Sequence, residues 1–143
     1  MKPVLFAPTA TTFETNGLGK LSDAASCTVK ETRNGAFELT LKYPVEGIHY
    51  AEIQQRSIIL AKPNPVDLAQ PFRVYRISKP INGLVTVYAY HISYDLTGIP
   101  VSPYSAASVQ AALAGFSTYA AVTNPFTFWS DMTASGDFTV KAP

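Results

Sequence analysis

The chain has 143 residues, a net charge of +1 and a pI of about 7.8, which suits one ordinary domain or one domain plus part of another. Hydrophobic residues make up 47% and charged residues only 15%, so the chain can bury a core and is not disordered by composition. Scattered lysines and arginines argue against a nucleic-acid surface, a single cysteine (Cys27) excludes an intrachain disulfide and a cysteine-rich zinc site, and no run approaches the ~20 apolar residues of a membrane span.

The start, Met1–Pro8, has too short an apolar core for a signal peptide, so use without classical secretion is expected. Val4–Ala7 lies between Pro3 and Pro8 and is expected as an edge strand. Thr9–Asp23 reads as a loop. Its Gly17-Leu18-Gly19-Lys20 echoes a phosphate loop, but the glycine spacing is too short and Leu21 follows Lys20 where Ser or Thr is needed. A flexible turn is the better reading.

Cys27–Thr32 and Ala36–Tyr43 flank Asn34-Gly35. Asn-Gly is a hairpin signal because both central residues take positive φ at least cost. In the return strand Phe37, Leu39, Leu41 and Tyr43 alternate with Glu38, Thr40 and Lys42, the period of a strand covered on one face. Burying each large apolar side chain contributes about 1.5–3 kcal/mol. A one-residue slip would expose all four, which fixes the register. Pro44 ends the strand, and a helical turn is expected around Tyr50–Gln54.

Ser57–Ala61 carries Ile58, Ile59 and Leu60, a run suited to burial on both sides. Lys62–Gln70, with Pro63, Pro65 and Pro71 nearby, reads as a loop. A second hairpin, Phe72–Ser78 and Leu84–Tyr90, turns on Asn82-Gly83. Pro80 lacks an N–H and weakens pairing just before that turn. Short strands with regular turn signals predict a mainly β protein with a barrel-like antiparallel β domain over residues 1–100. The two ribbons are expected to curl into one closed wall.

After Pro100 the composition changes. Tyr104–Ala121 is alanine-rich and proline-free. It predicts a helix capped by Ser105, with Val109, Leu113 and Phe116 apolar and Gly115 ending or kinking it. Phe126–Trp129 predicts a strand, Ser135-Gly136 a turn and Asp137–Lys141 a return strand. A helix and a hairpin make a thin core. Residues 101–143 are therefore expected to be the first piece of a second, α+β domain, continued in a longer parent.

No catalytic, cofactor-binding or metal-ligating residue is assigned. His49 and His91 are the only histidines, and the zinc motifs are absent. Cys27 begins a strand and reads as a small apolar residue. His91, Ser93 and Asp95 hold the residue types of a hydrolase triad, but in a row on a strand they lack its convergence. They read as polar groups satisfying one another at a strand end. Asp131 and Asp137 fit turn chemistry. Trp129, Phe126 and Phe128 could serve a glycan site, but aromatics at strand spacing are more often core.

Pro71-Phe72-Arg73-Val74-Tyr75-Arg76-Ile77, followed by Tyr90-His91-Ile92-Ser93-Tyr94-Asp95-Leu96, resembles the N-terminal region of the phage minor structural, or prophage tail-endopeptidase, family. Further likenesses fall in order: Asn16–Gly19 with Leu21–Ala24, the Asn34-Gly35 hairpin ending in Tyr43-Pro44, His49-Tyr50, Gly98–Val101 and Pro125–Asp131. The resemblance implies a structural component of a tail tip or baseplate hub, in the virion and made in the host cytoplasm. It implies a homotrimer of barrel-like domains in a pseudo-sixfold ring around a channel, with other tail-tip and tail-tube proteins as partners. No cofactor, no membrane and no direct nucleic-acid recognition are expected. Wall-degrading activity belongs to the C-terminal parts of longer members, so the chain is expected not to be an enzyme. The alternatives are a peptidoglycan endopeptidase using His91 with Asp95 or Ser93, and a glycan-binding module using Trp129.

Overall fold

The structure, a computed structural model, describes residues 2–141. The chain divides into two units, Met1–Ser93 and Tyr94–Pro143, each taken by itself below. The first holds β1 (Val4–Phe6), β2 (Gly19–Lys20), β3 (Ser26–Glu31), β4 (Phe37–Pro44), β5 (Ile58–Ala61), β6 (Gln70–Ile77) and β7 (Leu84–His91), with a 3₁₀ turn at Tyr50–Glu52. These strands form one antiparallel sheet in the order β2-β1-β5-β6-β7-β4-β3. It curls into a half-barrel.

The alternation in β4 sets the inner face. Leu39, Leu41 and Tyr43 are buried, as are Phe72 and Val74 of β6 and Val85, Val87 and Ala89 of β7. Leu5, Ile59 and Ala61 extend this core, and Leu21 and Ile53 pack into it from the connecting segments. A separate cluster of Val4, Phe6, Ile58 and Leu60 lies on the opposite face, covered by Ala10, Phe13, Ala69 and Ile92. All four residues of β5 are buried, as its unbroken apolar run implied.

The Asn82-Gly83 turn forms as expected. Asn82 and Gly83 both have positive φ, at 50° and 74°. Ile81 and Leu84 exchange N–H···O bonds of 2.8 and 3.0 Å across it, and the ladder is interrupted around Pro80. The other hairpin turns differently. The Gly35 N–H donates to the Thr32 carbonyl at 2.9 Å, so Arg33 and Asn34 are the central residues. Only Asn34, with φ 55°, is in the left-handed region. Asparagine tolerates that conformation, and Gly35 stands at the fourth turn position.

Two expectations about the sheet edges are corrected. β1 is not an edge strand: β2 pairs with its outer side, from inside the stretch read as a loop. The wall is also not closed, because the sheet order begins at β2 and ends at β3. A two-residue β2 offers too few backbone groups to carry the ladder round to β3.

In the second unit, a 3₁₀ helix beginning at Ile92 runs to Gly98, followed by β8 (Tyr104–Ser108), α1 (Val109–Thr118) and β9 (Ser135–Val140). The helix is shorter than predicted. Tyr104–Ser108 is strand, paired antiparallel with β9. The cap is Ser108, whose hydroxyl accepts from the Ala111 N–H at 3.2 Å. Gly115 does not end α1. It lies inside the helix under the ring of Tyr104, which a Cβ would strike.

Phe126–Trp129 is not a strand, and β9 has β8 as its partner. Side chains hold the 124–134 segment. The Phe126 N–H donates to Asn124 Oδ1 at 3.0 Å, and Gln110 Nε2 donates to the Met132 carbonyl at 2.6 Å. Those backbone groups are engaged outside any ladder.

Candidate interaction surface on the outer sheet face

His91 and Ser93 do come together. His91 Nδ1 lies 2.8 Å from Ser93 Oγ and accepts from the Ser93 N–H at 3.3 Å, while Nε2 lies 3.3 Å from Gln70 Oε1. An Nδ1 that accepts a backbone N–H places the proton on Nε2, where it is donated to Gln70. The ring stacks on Phe37 at 4.5 Å and meets Phe72 edge-on. Asp95 lies on the 3₁₀ helix of the second unit. The His91–Ser93 contact joins residues two apart and folds the end of β7 back on itself.

Burial lowers the His91 pKa below 6.5, opposed by the nearby Glu31 carboxylate. A folded pKa below the unfolded one contributes stability above about pH 6.5 that is lost as pH falls towards the folded value. Denaturant midpoints of the wild type are therefore expected to drop more between pH 7.5 and pH 5 than those of His91→Gln. Equal drops would contradict the half-buried, neutral ring.

The other sequence candidates settle elsewhere. Cys27 points inward from β3 and packs against the core. Burial pushes its thiol up to about 11, so it holds little thiolate at neutral pH. His49 Nδ1 pairs with Glu52 at 2.5 Å, and its ring packs against the space that a Cβ on Gly19 would fill. Gly17, with φ 55°, lets the chain close onto the Leu5 carbonyl, so the glycine segment forms a turn into β2. Asp131 and Asp137 are both exposed. Trp129 is 85% exposed rather than core, while Phe128 packs on Phe116. Among the described residues no group of three or more His, Cys, Asp or Glu could hold a metal ion. No described helix is long and apolar enough to cross a membrane.

The most developed surface lies on the outer face of β6 and β7. Val74 pairs with Ala89, but Arg76 pairs with Tyr88, leaving Tyr75 as an extra residue. This β-bulge places two successive side chains, Tyr75 and Arg76, outside. Tyr75 stacks on Tyr90 at 4.1 Å with the rings 9° apart. Tyr88 lies 6.3 Å from Tyr75, and the Arg76 guanidinium sits 4.0 Å over its ring. Glu38 and Thr40 of β4 stand opposite Tyr90 and Tyr88 in the ladder and widen the patch. Burial and the Tyr90 hydroxyl raise the Tyr75 pKa, so its phenol is a neutral donor and acceptor at ordinary pH.

Strict alternation from Val74 would turn Tyr75 out and Arg76 into the core. An unpaired arginine there is costly. That conflict is the signal in the sequence that a bulge is needed, and the period-2 pattern expected for Phe72–Ser78 does not include it. Stacked tyrosines hold their rotamers before any partner arrives, so little side-chain entropy remains to be lost on contact. Tyrosine and arginine are also the residue types that dominate interface hot spots.

Comparison of the chain with protein-family models, with curated proteins and with solved structures finds no match.

Proposed function

We propose that this chain is a structural component of a phage or prophage tail tip, a hub module that assembles around the end of the tail tube. The observation that carries the reading is the Tyr75–Tyr90–Tyr88–Arg76 face, preorganised on the outside of a sheet whose inner face is filled by its own core. Such a surface suits contact with another protein. The resemblance of Pro71–Ile77 and Tyr90–Leu96 supports the tail-tip setting, since the first string is most of β6 and the second begins at the end of β7. In this reading the protein is a homotrimer in the virion, its partners are other tail-tip and tail-tube proteins, and it performs no reaction.

The test is incorporation into particles. The double variant Tyr75→Ala, Tyr88→Ala is expected to melt close to the wild type and to be depleted from purified tails. Absence of the wild-type protein from tails by mass measurement, or normal incorporation of the variant, would overturn the proposal.

The exposure of Trp129 favours a second reading, a glycan-binding module. Glycan-array binding that disappears in Trp129→Ala is the result that reading expects. Binding unchanged by the substitution, or no binding at all, counts against it.

A further inference from the structure

A cleft of about 680 Å3 opens beside the short β2 end of the sheet, lined by Lys2, Val4, Phe13, Glu14, Thr15, Asn16, Lys20 and Leu60. Its floor is apolar. Val4 and Leu60 are the neighbouring, paired residues of β1 and β5. Phe13 leans over them, held edge-on against Phe6 at 5.2 Å. Its rim is polar and mainly cationic. Lys2 and Lys20 carry two positive charges against the single negative charge of Glu14.

The fold fixes this arrangement. The cluster of Val4, Phe6, Ile58 and Leu60 faces away from the main core and is covered by the 10–13 segment. That cover stops at Phe13. The chain then passes through Glu14, Thr15 and Asn16 along the cleft and returns at Gly17, where the missing Cβ permits close approach to Leu5. Lys20 stands opposite Val4 in the ladder. Lys2 is anchored by a 3.0 Å bond from Nζ to the Ser22 carbonyl. An ammonium so placed keeps two further protons for a ligand.

We propose that this cleft binds the carboxylate end of a short apolar peptide. The carboxylate is the group that the two lysines lining the cleft favour, as charge-assisted donors. An aliphatic or aromatic side chain beside it covers Val4, Leu60 and Phe13. The peptide amides meet the Asn16 and Thr15 side chains, which offer both donors and acceptors. Glu14 disfavours a second negative charge, so the preferred ligand is a monoanion with an apolar last residue.

The experiment uses the whole chain, labelled with 15N, titrated with N-acetyl-Ala-Leu-Leu and separately with its C-terminal amide. The acid is expected to shift the amide signals of Val4, Asn16, Gly19 and Lys20 saturably. The amide form is expected to bind about tenfold more weakly, and Lys20→Gln to weaken the acid by about fivefold, the scale of exposed charge pairs. Lys20 is exposed, so the variant keeps its fold, which an unchanged spectrum elsewhere confirms. Equal binding of acid and amide, an unaltered affinity in Lys20→Gln, shifts confined to other parts of the chain, or no saturable shift with the acid would each overturn the proposal.

Discussion

Replacing Phe72 by alanine is expected to destabilise the first unit by about 3–5 kcal/mol, the range for losing a buried aromatic side chain. Phe72 is fully buried at the centre of the inner face. It meets Phe37 edge-on at 5.2 Å and His91 at 5.6 Å. These contacts tie β6 to β4 and to the end of β7, so the cavity would open between three strands of the sheet. In a unit of this size each kcal/mol lowers the melting midpoint by about 4–8 °C. Thermal melts followed by near-ultraviolet circular dichroism measure this. Phe72→Leu refills most of the volume and is expected to recover much of the loss. A Phe72→Ala midpoint close to the wild type would contradict the core described here.

The second large effect falls in the other unit. Gly115→Val is expected to destabilise it by up to about 3 kcal/mol, the upper range for overpacking. Valine and glycine differ little in helix propensity, so the effect reports space and not backbone preference. The new Cβ would enter the ring of Tyr104. That ring cannot easily withdraw. It stacks on Tyr119 at 4.7 Å, meets Phe116 edge-on, and its hydroxyl donates to the Ala112 carbonyl. Tyr104 is also the one buried large side chain among the described residues of this unit. Loss of the Tyr104 ring-proton shifts and of α1 amide protection measures the effect. A variant with both intact would show that the ring packs elsewhere.

Much of the first unit was legible because its signals are local. The alternation from Phe37 to Tyr43 needs no knowledge of the partner strand to be read. The Ile58–Leu60 run and Asn82-Gly83 are equally self-contained. The edges were not legible. β2 is a two-residue strand whose pairing depends on β1, some fifteen residues away, and nothing in Gly19-Lys20 encodes that. In the second unit, Tyr104–Ser108 has the alanine content of a helix. It is strand because Tyr104 turns inward over Gly115 and because Ser135–Val140 supplies its ladder. Composition favoured the helix, and a distant partner prevailed.

The candidate surface was half legible. Tyr75, Tyr88 and Tyr90 stand out in the sequence, but their union depends on a register shift between Val74 and Arg76. Residue-by-residue alternation cannot express such a shift. The polar string at the end of β7 predicts mutually satisfied groups. His91 does bond Ser93, and it also bonds Gln70 at the start of β6 and stacks on Phe37. Those partners are set by the pairing of Phe72 with His91, which brings the two strand ends together.

Oxidative footprinting of Tyr75, Tyr88 and Tyr90, in the free protein and in purified tail particles, puts the outer face to the sharpest trial. Assembly through that face predicts that all three rings become protected in the particle while exposed Val66 and Leu68 of the neighbouring loop serve as references. Tyrosines as reactive in the particle as in the free chain would contradict it.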